Sequence, residues 1–587
     1  MGSRMVPRTV GIAVTVCVSL VIAAATLSQP SARGAFVIRN VRVFDGEKVI
    51  EANSVAVADG KIFAIGRDVA APPDGQVIDG SGDTLLPGLI DSHVHAWVRE
   101  VLEMGLVMGV TTELDMFMRW EEAANWRAEE SGGAADIADF RTAGTAIAVA
   151  GGHGMESLPK MKPIRRAEEA LAFVDERIAH GSDYIKVMYD NRPRFAAMSK
   201  ETLAAIVKAA HARGKMVIVH VFSAQGFLDV IDSGADGFAH VPIVKLPEPA
   251  FRDAIRVHRT FAITTLGFTD FFFGSGRLWS KLPEDPAIAP YLGPLWRQVL
   301  EGPGYKNQEH ISYADNEAAL RTLRDAGVPL LAGTDASNST AAGALLHAEL
   351  ELMVMAGLTP SETLADATSV PAKAFALNDR GRIAPGLRAD LLLVHGDPTA
   401  DIRATRDIVA IWKRGVRVDR ESFRDRVAQE NAAWRFGAGW MPDTDSIFKG
   451  SSKVRLRVVD GGPARAPSTM ILACDVSPGI KYPFAGAMYV PALALQTSGP
   501  VDLSGSKDIA FWARGDGKTY SVAMFTKSGG ATPILSPFVA GKDWEKHTIP
   551  ISEFHTDGHD ITLLSIVATA PGKYDLELSG FHFFPQP

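Results

Sequence analysis

From Phe36 the chain alternates apolar and polar residues in short runs, FVIRNVRVFDG and SVAVADGKIFAIG, with the pairs Asp45-Gly46 and Asp59-Gly60 inside them. Alternation with period two predicts half-buried strands, and the Asp-Gly pairs predict turns. An apolar run, LLPGLIDSHVHAW, follows, and beyond it strands alternate with amphipathic helices. Predicted strands cover 110–117, 140–150, 183–190, 215–221, 236–241, 259–268 and 328–335; the clearest helices cover 200–214 and 316–327. With the strand before His93 these make eight strand–helix units, the pattern of a (β/α)8 TIM barrel. After Asp335 the chain reads as helical, and Thr359-Pro360-Ser361-Glu362 is a capping box with proline at the first helical position.

Strands return in GRIAPGLRADLLLVHGD and ATRDIVAIWKRGVRV, and short strands with Gly, Pro and Asp turns run from Phe436 onward. The expected class is therefore α/β. A (β/α)8 barrel over 86–380 carries a small flanking β-sandwich built from 35–85 and 381–424, and an all-β domain covers 430–587.

The N-terminus has a different texture. Arg4 and Arg8 precede an apolar stretch from Val10 to Leu27 and then a small-residue polar run. That order predicts an export signal over 1–34, and hence a periplasmic or extracellular protein. An uncleaved anchor helix is the rival reading, because the apolar run is near the lower limit for spanning a bilayer. The only cysteines are Cys17 and Cys474, so loss of the signal leaves one thiol, with no internal disulfide and no thiolate metal cluster. Any metal must be held by His, Asp, Glu or Lys. A net charge of -8 and the lack of a basic stripe argue against a nucleic-acid partner and leave a small-molecule substrate.

Candidate chemistry sits where the predicted strands end. His93 and His95 are two apart, so on a strand both imidazoles point to one face. Lys186 lies between apolar neighbours in YIKVM, where a lysine is costly unless neutralised, paired or modified. His220 ends MVIVHV, His240 ends GFAHV and Asp335 ends VPLLAGTD. A lone H-x-H is weak evidence. Metal-competent groups at the ends of strands one, four, five, six and eight point to a metal site at the C-terminal face of a barrel.

PGLIDSHVH, Lys186, His220, His240 and the GTD holding Asp335 resemble the amidohydrolase superfamily, within it the binuclear imidazolonepropionase- and prolidase-like branch. GSDYIKV, AAHARGKMVIVH and HAELELMVMAGLTP are also similar, so the likeness covers about Phe36 to Val418. It implies two divalent ions, zinc first, with manganese, iron or cobalt as alternatives. It implies that His93, His95 and Asp335 hold the more buried ion, and that His220 and His240 hold the other. Lys186, carbamylated by CO₂, would bridge them. It further implies attack of an activated water on a carbonyl, with Asp335 as general base and then general acid. The activity expected is hydrolysis of a C–N amide bond in an Xaa-Pro-like dipeptide or an N-acyl amino acid. A lactone, carbamate or phosphoester hydrolase is one alternative, and a surface- or carbohydrate-binding protein with a vestigial barrel is another.

Substrate contacts are expected from His153 in AGGHGM and from Tyr189 and Arg192 after the fourth strand, with Arg194 beside them. For each, a loop residue without a role is the competing reading. Asp91 is either a support for a histidine or a turn residue. His211 and His347 read as helix residues outside the site, and His258 and His310 have no motif around them. The insertion at 269–312, opening on Phe271-Phe272-Phe273, predicts an apolar lid or packing on the barrel rim. The C-terminal stretch, with FGAGWMPDTDS and VDLSGSKDIAFWARGDGKTYSVAMF, resembles galactose-binding-like jelly rolls related to the complex I intermediate-associated protein 30 family. A stabilising or docking role is the first expectation there, and carbohydrate or surface contact the second. A homo-oligomer is left open.

Overall fold

A computed structural model of the chain describes residues 34–582, apart from 159, 193, 247–248, 258–259, 274–277, 302–311, 338–340, 495–499 and 531. Residues 1–33 of the expected export signal, with Cys17, His258 and His310, lie outside the described residues. Among the described residues no helix is long and apolar enough to cross a membrane. The chain divides into two compact units between Arg424 and Asp425, a point inside the helix Arg420–Phe436.

The first unit contains eight parallel strands: β1 (Leu89–Val94), β2 (Val110–Asp115), β3 (Asp139–Thr142), β4 (Ile185–Met188), β5 (Val217–His220), β6 (Gly237–Phe238), β7 (Phe261–Ile263) and β8 (Leu330–Leu331). They form one sheet in the order β3-β2-β1 and another in the order β4-β5-β6-β7-β8. Isolated parallel bridges link the edges of the two sheets, Ile147 after β3 with Val187 of β4 and Val94 of β1 with Ala336 after β8. Every residue of β4 and β5 is buried, as expected of parallel strands covered on both faces. Val187, Val217 and Val219 pack in one apolar cluster with Leu203, Ile206 and Phe227 of the following helices. Ser199 and Ser223 cap those helices through the backbone N–H groups of Thr202 and Gly226. The capping box at Thr359 and Glu362 forms with Pro360 in the first turn.

All seven strands after β1 end earlier than their apolar runs predict, and for two of them the cause is visible. β3 stops at Thr142, where Gly144 adopts a left-handed φ of 62° and turns the chain out of the sheet. β7 stops at Ile263, and the run Leu266–Phe273 is a helix rather than the end of a strand. The buried Glu349 carboxylate accepts the backbone N–H groups of Leu266 and Gly267, satisfying the first turn of that helix. In the insertion, Phe271 stacks on Trp279 at 3.9 Å, and Trp279, Leu282, Tyr291 and Leu300 pack against Val94, Leu102 and Ala336. The described part of this segment therefore covers the flank near β1; the side chains of Phe272 and Phe273 lie outside the described residues.

Strands from before and after the eight-strand series pair with each other. Leu391–His395 runs antiparallel to Asp83–Pro87 inside a six-stranded sheet, and a four-stranded sheet holds Phe36–Arg39. Phe36, Val43, Val55, Leu85, Leu391 and Trp412 share one core between them. Asp139 at the start of β3 ties this region to the parallel strands. Its fully buried carboxylate meets Arg380 at 2.9 Å, Arg388 at 2.6 Å, Lys413 at 3.0 Å and Arg414 at 3.0 Å. Burial opposes its ionisation, but the four cations outweigh burial and hold its pKa far below the usual carboxylate range. Asp139→Asn removes the one carboxylate shared by all four cations, Arg380, Arg388 and Arg414 keeping Asp379, Asp390 and Glu130, and is expected to cost about 3–5 kcal/mol, read as a lowered urea midpoint. Because the folded pKa is depressed, this stabilisation is complete above about pH 5. It falls as the pH drops below the ordinary aspartate pKa of about 4. The variant's stability should therefore depend less on pH than the wild type's between about pH 5 and 2.

The second unit consists of two five-stranded antiparallel sheets around one core that includes Leu472, Phe511, Tyr520, Phe538 and Leu576. Phe511 points inward and stacks with Phe581, whereas Trp512 next to it is partly exposed. Cys474 is buried, and burial pushes its thiol up to about 12, so it is an inert packing residue.

Candidate metal centre

His93 and His95 leave β1 on one face. The Nδ1–H of His93 donates to the carbonyl of Ala239 at 3.0 Å, and the Nδ1–H of His95 donates to the carbonyl of Phe117 at 2.9 Å. A carbonyl can only accept, so both rings carry a proton on Nδ1, and in its neutral form each ring presents an Nε2 lone pair. Both lone pairs face Oδ1 of Asp335, at 3.3 and 2.9 Å. Two lone pairs and a carboxylate oxygen repel one another unless a cation or a proton lies among them. Nitrogen and oxygen donors arranged in this way fit a divalent ion. Asp335 itself holds a left-handed φ of 58°, a strained conformation of the kind found at functional sites. Its position is fixed by its backbone N–H, which donates to the carbonyl of His93 at 2.7 Å.

The remaining expected ligands converge on the same place. Nδ1 of His220 lies 2.9 Å from Nε2 of His240, and Nδ1 of His240 lies 2.9 Å from Oγ1 of Thr265. The ring centroids of His93 and His240 are 4.9 Å apart. Ligand atoms of His93, His240 and Asp335 lie within 4.8 Å of one another, and so do those of His153, Asp190 and His220. Lys186 is buried on β4, and its charge is felt by His93, His95, His220, His240, Asp115 and Asp335.

Burial governs the electrostatics. It brings Lys186 down to about 7, against the pull of Asp335 and Asp115, so a neutral amine is accessible near neutral pH. Burial lowers His220 to about 3, with the neighbouring His153 adding to the effect, and it holds His93 and His240 well below the usual imidazole range. For His95 burial also acts downward, but the Asp335 carboxylate outweighs it and the net shift is upward. Asp335 falls to about 2 because its hydrogen bond and charge interactions, led by His95, overcome burial.

The supporting residues divide by strand parity. Asp91 accepts the N–H of His93 and both the N–H and hydroxyl of Thr334, so it clamps the end of β1 to the segment after β8 rather than holding an imidazole ring. His153 lies beside His220 with ring centroids 4.4 Å apart, and its Nδ1 is 2.6 Å from Glu156. Arg192 reaches the same side, where it pairs with Asp190 and lies 4.4 Å above the ring of Phe222. Tyr189 does not join them. It follows Lys186 by three, an odd step on a strand, and its hydroxyl donates to Asp229 at 2.9 Å on the helix Ala224–Ser233. Arg194 lies over Phe195 at 4.8 Å. His211 pairs with Asp236 on the surface. His347 is buried between Thr405 and the carbonyl of Met108, away from the centre.

Two residues near the centre carry no sequence motif. Asp115 at the end of β2 accepts the N–H of Ala96 and the hydroxyl of Thr142, and burial raises it to about 6. Asp190 lies four residues beyond Lys186, an even step that puts it on the same face. Strand parity was the signal that could have found it.

Residues 84–418 match the sequence pattern of the amidohydrolase family. The imidazolonepropionase of Paracoccus denitrificans is 25% identical over 384 residues, covering 59% of this chain and 88% of that protein. Among solved structures, a Xaa-Pro dipeptidase with methionine bound in its active site superposes with a TM-score of 0.54. It has 22% identity and covers 66% of this chain and all of that one. A structure described as a prolidase from Bifidobacterium longum gives a TM-score of 0.53 at 23% identity, covering 68% of this chain and 98% of the other.

Proposed function

The chain belongs to the amidohydrolase family, and from that premise we propose that it is a metal-dependent hydrolase of C–N amide bonds. The substrates proposed are Xaa-Pro-like dipeptides or N-acyl amino acids. The observation that carries this reading is the convergence of the Nε2 lone pairs of His93 and His95 on Oδ1 of Asp335. The likeness to dipeptidase and prolidase structures supports the fold on which the reading rests, and the bridges at Val94 and Val187 support a closed (β/α)8 barrel.

In this reading His93, His95 and Asp335 would hold one divalent ion and His220 and His240 a second, zinc in both cases, and Lys186 as a carbamate would supply an anionic oxygen ligand. The lowered pKa of Lys186 favours the neutral amine that reacts with CO₂. Such ions, when bound, supply Lewis acidity to a substrate carbonyl and lower the pKa of a water. Asp335 takes the proton of the attacking water on a carboxylate oxygen and passes it to the leaving nitrogen, one group serving as base and then acid. Nδ1–H donation to Ala239 and Phe117 keeps the rings of His93 and His95 in one tautomer throughout. His153, partly exposed beside His220, is the side chain proposed to meet the substrate's polar end, with Arg192 next to it. Export through residues 1–34 and a galactose-binding-like jelly roll in the second unit, as a stabilising or docking module, complete the proposal.

A mass-spectrometric screen of amide, lactone, carbamate and phosphotriester libraries with the zinc-loaded chain tests it. Turnover is expected among short amides with a free carboxylate. Turnover confined to lactones or phosphotriesters would reject the amide assignment. Failure to turn over any class by a metal-replete chain would reject the hydrolase reading.

A further inference from the structure

His220 has two ring nitrogens in contrasting surroundings. Nδ1 faces Nε2 of His240 at 2.9 Å, inside the centre. Nε2 faces away, 3.6 Å from Oδ2 of Asp190, and it is buried without a formed hydrogen bond. Asp190 is itself fully buried at its side chain. Its carboxylate is locked by Arg192, whose backbone N–H donates at 3.0 Å and whose Nε donates to both oxygens at 3.0 and 2.9 Å. Arg192 is pinned in turn over the ring of Phe222 at 4.4 Å, and Phe222 stacks on His240 at 5.2 Å. A carboxylate fixed in this way can only accept.

The alternatives for His220 can be counted. With its proton on Nδ1, the ring would donate to His240 and turn an Nε2 lone pair toward the Asp190 carboxylate, an unfavourable contact in a buried site. With its proton on Nε2, the ring points that proton at Asp190 and leaves Nδ1 as an acceptor beside His240. In the metal-free chain the His240 Nε2–H then donates to it and the Thr265 hydroxyl donates to Nδ1 of His240, whereas with an ion His240 would carry its proton on Nδ1 and donate it to Thr265. The Thr265–His240 and His240–His220 contacts are then donor-to-acceptor in the metal-free chain, and the His220 Nε2–H faces the Asp190 carboxylate at 3.6 Å, a favourable contact just beyond hydrogen-bond length.

We propose that Asp190 is a positioning residue that selects the Nε2–H tautomer of His220 and so makes Nδ1 its metal-binding atom. The metal-binding half of this inference rests on the hydrolase reading above; the tautomer half does not. His220 keeps one tautomer with or without an ion, so binding needs no rearrangement of its proton. The ligands His93 and His95 obtain the same service from backbone carbonyls on their Nδ1 side. His220 is turned the other way round, and a side chain replaces the carbonyl. Fixing a ligand histidine through its second nitrogen orients it and raises its basicity, and losing such a partner typically weakens metal binding by about 10–100-fold.

The test uses the full chain labelled with 15N-histidine, metal-free and cobalt-loaded, with Asp190→Ala and Asp190→Asn variants. The wild type is expected to show His220 protonated at Nε2 in both states. Asp190→Ala should shift it to a mixture of tautomers and weaken one of two cobalt ions by about 100-fold, the other ion being unchanged. Asp190→Asn keeps an acceptor oxygen and most of the packing, so it should keep the tautomer and lose about 10-fold. Asn also covers the case in which Ala, by stranding Arg192, fails to fold. A wild-type His220 protonated at Nδ1, or a tautomer unmoved by Asp190→Ala, would overturn the proposal. An ion seated among His153, Asp190 and His220 would overturn it by making Asp190 a ligand. A wild type that takes up no cobalt but shows the Asp190-dependent tautomer would instead reject the hydrolase reading alone.

Discussion

Asp335→Asn is expected to lower kcat by about 10⁴-fold or more, with substrate binding much less affected. The substitution nearly preserves size but removes a charge and a proton-accepting oxygen. Loss of base catalysis alone is worth about 10² to 10⁴-fold. The same carboxylate meets the Nε2 atoms of His93 and His95, so an ion held there loses its anionic partner as well. The fold should persist, because the backbone contact from Asp335 to His93 does not involve the carboxylate. A metal-replete Asp335→Asn enzyme with near-normal turnover would move the proton shuttle to another group, with His153 the first to examine. In pH–rate profiles the acidic limb belongs to the coupled unit of Asp335, His95 and the activated water, not to Asp335 alone.

Lys186→Ala is expected to remove one ion and lower kcat/KM by about 10³-fold, roughly 4 kcal/mol of transition-state stabilisation. A short carboxylic acid added to the variant should restore part of the activity by supplying the oxygens that the proposed carbamate would provide. The effect on stability should have the opposite sign. An unmodified amine buried on β4 is costly, so metal-free Lys186→Met should melt no lower than the metal-free wild type. Together these outcomes separate a functional lysine from a structural one. Lys186→Ala with full metal content and full turnover would remove the bridging role.

Much of the centre was legible because strand periodicity constrains it. Histidines two apart and a lysine inside YIKVM stand out against buried apolar runs, and the structure brings His93, His95, His220, His240 and Asp335 together. What sequence did not reveal depends on parity and distance. Tyr189 belongs to the loop after β4 in a linear reading, yet its odd offset from Lys186 sends it to Asp229, while Asp190 turns inward. Glu349 reads as one more polar residue in a helix, although it anchors the helix Leu266–Phe273 from about eighty residues away in sequence. The early end of β7 was hidden for the same reason: the run LGF is apolar in either conformation, and a distant carboxylate decides between them. The four basic partners of Asp139 come from three separate stretches of chain, and no local pattern assembles them.

Metal content measured alongside turnover tests the central claim most directly. The purified full chain, its chelated form and the chelated form reloaded with Zn²⁺ or Mn²⁺ are assayed on the amide found in the screen, each with its ions counted by mass spectrometry. The predicted result is about two ions per chain, loss of activity with their removal, and recovery in step with reloading. Full activity in protein shown to be metal-free would contradict it.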